Sequence, residues 1–469
     1  MPILLALTLC ISLGCGVALK GECVGAHTDN WRSRLCYNDI QPLYYDRGID
    51  HHVFPYFHAT LNGGHGGHGF NEYPVLTGLT MWATGWAAWS GSSYLAVTMI
   101  LLSLAAAFAA MLLWRMVGRR VVYWTASPIL ALYAFHNWDM LAVSASVAGI
   151  YLWWSGRSSR AAVAFAVGAA FKLYPALFIV PLVCDQLVQR RTRQAAGVAV
   201  AGFGSLALIN LPFVLINASG WWATYRFHAD RVPSSSGTIW AVLDNNLSTT
   251  TENRLSFTAL AIALVVITVG LLFSRPTAGY PVVEWCAAAT AAFILLDKVS
   301  SPQYILWLVP FLALLPLRSI WWWLLSTVAA VRYAGLFGVD VFPFGLHTAD
   351  RLVHSAIVLQ AAVLILYVAA ILIPHRTRSL TRIRHTKACH TRNGAGDGVK
   401  HSPRGPDAFA STSSHLAGMV EPNPVRAQLL ESNTHEVGVT WMRRACDRRR
   451  AAHPPVGKRL RRGQMTSDG

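Results

Sequence analysis

Charge is scarce in this chain. Only 13% of its 469 residues are Asp, Glu, Lys or Arg, against roughly 25% in an average soluble domain. With 54% of residues apolar and a mean hydropathy of +0.39, that scarcity excludes a disordered chain and an ordinary cytosolic enzyme. The eight cysteines form no CxxC pair and no His/Cys zinc pattern, which argues against a small disulfide scaffold and a structural zinc module. No P-loop and no Gly-rich dinucleotide fingerprint is present, so nothing in the chain points to a bound nucleotide.

What the chain does have is a series of long apolar runs, and these mark an all-α polytopic membrane protein. The formal charge of +17 is unevenly placed: residues 374–469 contribute +11 and residues 1–373 contribute +6. The basic pI is therefore mainly a property of the tail, and no nucleic-acid partner is implied. Two regions follow, a polytopic body over 1–373 and a basic tail over 374–469 that is read as disordered and cytoplasmic. The tail's Arg and Lys clusters can touch anionic lipid headgroups or simply be solvated.

The first apolar run, 3–19, reads as a cleaved signal peptide or a first helix; the helix is preferred because more membrane-embedded sequence follows. A polar loop occupies 20–73. Further spans are expected near 93–117, 121–135, 138–154, 160–171, 174–188, 195–217, 256–273, 279–296, 302–316, 319–337 and 352–373, with a short apolar segment at 74–90. Several fall short of the ~20 residues of a full crossing. Arg115, Arg119, Arg120, Arg157, Arg160, Arg190, Arg191, Arg193, Arg275, Arg318, Arg376 and Arg378 flank these runs. Placing them all in the cytoplasm requires that 74–90 not cross and that 160–188 form a hairpin with its tip outside. The scheme gives twelve crossings and puts 13 of the 15 body acids on the outer side. A transporter gathers ionisable groups near the midplane. Polar chemistry at the outer ends favours an enzyme instead.

Several outer clusters carry that chemistry. Asp39, close behind the first span, suits a general base on a hydroxyl held at the membrane surface, or it is an ordinary loop acid. Tyr44 and Tyr45 beside it can hold an amphipathic substrate. Lys172, at the hairpin tip in Lys172-Leu173-Tyr174-Pro175, either snorkels or meets an anion. Asp297 through Tyr304 place Lys298, Ser300, Ser301 and Gln303 at the same level, and loop 218–254 adds Arg226 as part of an anion clamp. Cys23 and Cys36 share the first loop, so an oxidising compartment would permit a disulfide between them. The histidines of the His51–His68 stretch match no metal motif, and a Gly-rich setting does not preorganise a site; no metal or other cofactor is called. A mobile lid is the favoured role for that stretch.

Taken in order, Asp39 with Tyr44-Tyr45, Glu72-Tyr73-Pro74, Asn137-Trp138-Asp139, Phe171-Lys172-Leu173-Tyr174-Pro175 and Lys298-Val299-Ser300-Ser301-Pro302-Gln303-Tyr304 resemble glycosyltransferase family 87. The similarity runs over roughly 30–373 by order and spacing. The tail and the His/Gly insert depart from the pattern. The resemblance implies a GT-C bundle of roughly 10–13 helices with an outward-facing site in the plasma membrane of a bacterial cell envelope. It implies a polyprenyl-phosphate sugar donor, typically of mannose, and inverting transfer to a lipid-linked glycan. Carried onto this chain, Asp39 becomes the base, with Glu72 and Asp139 as second acids. Lys172, Lys298 and Arg226 become phosphate contacts, and Tyr44, Tyr45, Tyr174, Gln303 and Tyr304 substrate contacts. The competing readings are an arabinosyl or glucosyl transferase of the same fold and a flippase for lipid-linked sugars, for which Glu284 and Arg332 would be the deep charges.

Overall fold

The computed structural model describes residues 2–24, 34–62, 65–67, 69–231, 237–244, 246–274, 280–338, 341–342 and 346–373. Asp29, His68, Arg275, Asp340, Arg376, Arg378 and the tail lie outside the described residues. Apart from one two-residue pairing, Leu61–Asn62 with His65–Gly66, the regular structure is helical.

Helix α1 (Pro2–Gly21) is part of the bundle: its Thr8 and Ser12 hydroxyls donate to Oγ1 and O of Thr125, at 2.9 and 2.8 Å. After it come a short α2 (Ile40–Asp46) and α3 (Val75–Gly85). The long α4 (Gly91–Val117) starts at a Ser90/Ser93 capping box, which satisfies amides that a helix start otherwise leaves bare. The run expected at 121–135 is interrupted. Ser127-Pro128 separates α5 (Val122–Thr125) from α6 (Pro128–Tyr133), since a residue preceding proline resists the helical region. Next come α7 (Asp139–Trp154), α8 (Ser158–Phe171), a 3-10 turn Tyr174–Phe178 leading into α9 (Ile179–Val188), and α10 (Thr192–Asp230). The chain closes with α11 (Ile239–Leu243), α12 (Thr249–Ser274), α13 (Val282–Leu296), a 3-10 turn Pro302–Leu308 leading into α14 (Val309–Leu314), α15 (Ile320–Phe337) and α16 (Leu346–Leu372).

Six of these helices are long and apolar enough to cross a membrane, and the remainder include five shorter apolar segments. Contacts fix an alternating course. Lys20, at the end of α1, meets Tyr37 and Tyr333, while Arg120 past the end of α4 donates to the carbonyls of Leu312 and Ala313 at the opposite end. Counting α5–α6 as one pass, and each 3-10 turn with the helix it leads into, the described residues run twelve times along the bundle. The arginines at 115, 119, 120, 157, 160, 190, 191, 193 and 318 fall at one end. Glu22, Asp39, Asp46, Asp50, Glu72, Asp139, Asp230, Asp244, Glu252, Asp297 and Asp350 fall at the other. Helix α3 does not pass through. Its Thr77 donates to Phe171 O at 2.7 Å and its Trp82 Nε1 to His52 O at 3.0 Å, both at the acidic end. Gly78 makes the seat possible: a Cβ there would lie 2.0 Å from Tyr56 Oη, the hydroxyl that donates to the carbonyls of Tyr73 and Pro74.

One expectation needs correction. The segment after residue 217 is not all loop. Backbone φ/ψ of −149°/85° at Asn217 breaks α10, and helix resumes to Asp230. The Asn217 side-chain amide donates to the carbonyls of Phe57 and Ala59 at 3.0 and 3.3 Å. The second half of α10 thereby folds over the acidic end. Cys23 and Cys36 are joined as a disulfide, with Cα atoms 5.6 Å apart.

The segregation of arginine from acid yields a direct expectation. Reporters fused after Gly48 and after Arg378 should lie on opposite sides of the membrane, the Arg378 fusion in the cytoplasm. Fusions reporting the same side would overturn both the pass count and the outward placement of the acidic end.

Candidate active site

The centre of the acidic end is a chain break. Pro175 prevents α8 from running on, so Lys172 takes an extended backbone, φ −155° and ψ 133°, and its side chain leaves the helix axis. The ammonium lies 3.0 Å from Asp139 Oδ1, with side chains 15% and 2% exposed. It also sits over the rings of Tyr73 and Tyr304, 5.0 and 5.1 Å from their centroids. Asp139 is the first residue of α7, where the helix dipole favours a carboxylate. Its contact with Lys172 is an ion pair by distance and falls outside hydrogen-bond alignment. Burial works against the Lys172 charge, but Asp139, Tyr304 and Asp39 together outweigh it and raise its pKa.

Tyr73 links this pair to Asp39. The Tyr73 hydroxyl donates to Asp39 Oδ2 at 3.4 Å, and that of Tyr37 donates to Oδ1 at 2.7 Å. Asp39 precedes α2, and its backbone N–H donates to His136 O at 2.8 Å, tying the first loop to the turn before α7. The carboxylate is half-buried. Desolvation pushes its pKa above the usual carboxylate range, against the pull of the Tyr37 hydrogen bond and of Lys172. Among the described residues no cation comes within ion-pair distance of it.

Glu72 is placed differently. Arg47 grips both of its oxygens, Nε to Oε2 at 2.6 Å and Nη2 to Oε1 at 3.0 Å. Its carbonyl meets His228 Nε2 at 2.9 Å, while Thr224 donates to Asn71 O at 2.7 Å. The second half of α10 thus clamps the Asn71-Glu72 turn. The two-point guanidinium fork occupies both oxygens of this carboxylate.

The remaining expected residues divide. Tyr304 and Tyr174 both stack on Trp307, each with ring centroids 4.1 Å apart, and Lys172 lies over the Tyr304 ring of this aromatic group. Gln303 is buried, with Oε1 lacking a hydrogen-bond partner. Lys298 is near the centre but occupied: Nζ donates to Ala229 O at 2.6 Å, in the last turn of α10. Arg226 points away, 65% exposed and paired with Asp230. Tyr44 and Tyr45 serve the start of α4 instead, Tyr44 donating to Ala88 O and Tyr45 Oη accepting from Gly91 N. Arg47, Tyr37, Tyr73 and Asp297 were not proposed as site residues. For Asp297, burial pushes the pKa up to about 7, although the amides of Val299 and Lys298 and the nearby lysines oppose the rise.

Acids, tyrosines and an ammonium joined in one polar cluster, at one end of the bundle, define a polytopic membrane protein with an enzyme-like centre. Residues 70–297 match the family model of Glycosyltransferase family 87, the family that the motif order resembles, and the match supports a membrane glycosyltransferase. The matched stretch contains Glu72, Asp139, Lys172, Tyr174 and Arg226; Asp39, Lys298, Gln303 and Tyr304 lie outside it. No curated protein matches the chain.

Proposed function

We propose that the protein transfers a hexose, mannose in the first instance, from a polyprenyl-phosphate sugar to a hydroxyl of a lipid-linked or cell-envelope glycan, on the outer face of the plasma membrane. The observation that carries this reading is the line of contacts Asp39–Tyr73–Lys172–Asp139. It sets a carboxylate free of cations within one tyrosine of a buried ammonium. The donor's lipid chain must stay in the bilayer, so its phosphate must lie at this level. Lys172 is a compact charge suited to that phosphate. Asp39, when ionised, can only accept a proton.

The reaction balances without a cofactor. The acceptor oxygen bonds to the anomeric carbon as the bond from that carbon to the phosphate oxygen breaks. The hydroxyl proton passes to Asp39, and the polyprenyl phosphate departs with the electron pair, its charge met by Lys172. Attack opposite the leaving group inverts the anomeric centre. Asp139 holds the lysine in the absence of donor, while Glu72, fixed by Arg47, shapes the loop.

A flippase reading is disfavoured by Arg332. This buried guanidinium donates to Ser300, Gln360 and the Gly237 carbonyl, all neutral, and has no acid within ion-pair distance among the described residues. The test is incubation of membranes containing the protein with labelled polyprenyl-phosphate mannose, then with the glucose and arabinose analogues. Label appearing in a larger glycolipid supports the reading. Movement of labelled donor across the bilayer without transfer of its sugar would replace it by the flippase.

A further inference from the structure

We propose that Lys20, at the end of α1, is a positioning residue for Asp39. It fixes the backbone of residues 35–37, so that the Tyr37 hydroxyl is aimed at the carboxylate. The inference rests on the reading of Asp39 as the base.

A lysine at the end of a first membrane helix ordinarily snorkels to water. Lys20 does the reverse: it is 0% exposed, and a fully buried lysine is rare without a specific partner. Its Nζ donates to the Tyr37 carbonyl and, at 2.7 Å, to Tyr333 Oη, and lies 5.0 Å from the Tyr333 ring centroid. The direction of the second bond is settled by its neighbour. Tyr333 gives its one proton to the Leu35 carbonyl, so its oxygen accepts from Lys20. Residues 35, 36 and 37 are therefore held three ways: Leu35 through Tyr333, Cys36 through the disulfide to Cys23, and Tyr37 through Lys20 itself.

Of these held residues, Tyr37 touches Asp39. The Tyr37 ring stacks on Phe337 at 4.6 Å and leans on His136 at 5.0 Å, leaving its hydroxyl directed at Oδ1 of Asp39. No acid lies within ion-pair distance of Lys20 among the described residues. The groups around that carboxylate come from every packed element: Lys20 from α1, Tyr37 beside it, Glu72 and Tyr73 before α3, His136 and Asp139 around the start of α7, and Lys172 after α8. Lys172 is engaged with Asp139, so what Lys20 contributes to Asp39 passes through the placement of Tyr37.

The test uses the full-length protein in membranes, with Lys20→Met, Lys20→Arg and Tyr37→Phe. Two readouts are taken across pH: transfer from labelled polyprenyl-phosphate mannose, and carbodiimide labelling of Asp39 read by mass spectrometry, which reports its protonated fraction without any transfer. Lys20→Met should lower kcat by about tenfold or more and leave the donor KM within about twofold. It should move both the acid limb of transfer and the midpoint of Asp39 labelling to higher pH, because a Tyr37 no longer held in place gives up a hydrogen bond to the charged carboxylate. Lys20→Arg should retain the midpoint and most of the rate. Tyr37→Phe should lower kcat and raise the midpoint as well, since a hydrogen bond to the charged form is lost. An unmoved midpoint in Lys20→Met, or equal losses in the Met and Arg variants with no shift, would overturn the proposal and leave Lys20 a purely structural lysine. A midpoint moved by Lys20→Met, where the wild-type protein transfers no sugar, would uphold the placement and reject the glycosyl-transfer reading instead.

Discussion

Asp39→Asn is expected to reduce sugar transfer by at least about 100-fold while leaving donor binding nearly unchanged. The estimate follows from the role: a positioned general base contributes about 10²–10⁴-fold, and an amide of the same size keeps the shape while losing the basicity. The tyrosine hydroxyls that now donate to the carboxylate can donate equally to the amide oxygen, so the loop is expected to hold. The pH profile follows the same group. A base must be deprotonated to act, and burial raises the pKa of Asp39. Transfer should therefore fall as pH drops through a limb lying above the ordinary carboxylate range. Asp297 supplies the internal control, since its pKa is also pushed up, to about 7, although two backbone amides hold it. Kinetics of Asp39→Asn and Asp297→Asn against donor concentration separate the two acids. An active Asp39→Asn beside a dead Asp297→Asn would reassign the base.

Much of this arrangement was legible in the sequence because the bilayer imposes strong rules. Arginine placement sorted the ends of the bundle, and the short apolar segment at 74–90 could be held back from crossing on charge alone. The Lys172 tip was readable because proline marks where a helix must stop. What could not be read is partnership across distance. Nothing local to Glu72 announces that Arg47, 25 residues earlier, will occupy both its oxygens. Nothing near Lys298 shows that it will cap the carbonyl of Ala229. Tyr44 and Tyr45 looked like a substrate platform because tyrosines suit an interface; their hydroxyls instead serve the start of α4. Nothing local to Lys20 shows that it will turn inward, since inward and outward lysines look alike until the helix is packed. The error at 218–230 has a similar origin. Asn217 ends the apolar run, but helix continues beyond it because the Asn71-Glu72 turn offers acceptors to Thr224 and His228.

Lys172→Met is expected to have two separable effects. The first is on stability. Asp139 is 2% exposed, and removing its cation leaves a buried charge uncompensated, a loss of about 3–5 kcal/mol for comparable pairs. Dipole stabilisation at the start of α7 offsets only a fraction of that, about 0.3–1 kcal/mol. The second effect is on the donor. With the ammonium gone, nothing at the tip of the α8–α9 hairpin meets a phosphate, so the donor KM should rise and kcat should fall together, because the same charge serves the bound phosphate and the departing one. A double-mutant cycle distinguishes the two. Asp139→Asn added to Lys172→Met removes the orphaned charge and should recover most of the lost thermal stability in detergent, while transfer stays low. Recovery of transfer along with stability would mean that Lys172 serves the fold alone, and the phosphate contact would have to be sought at Lys298, where release from the Ala229 carbonyl would be needed before the ammonium could turn toward a ligand.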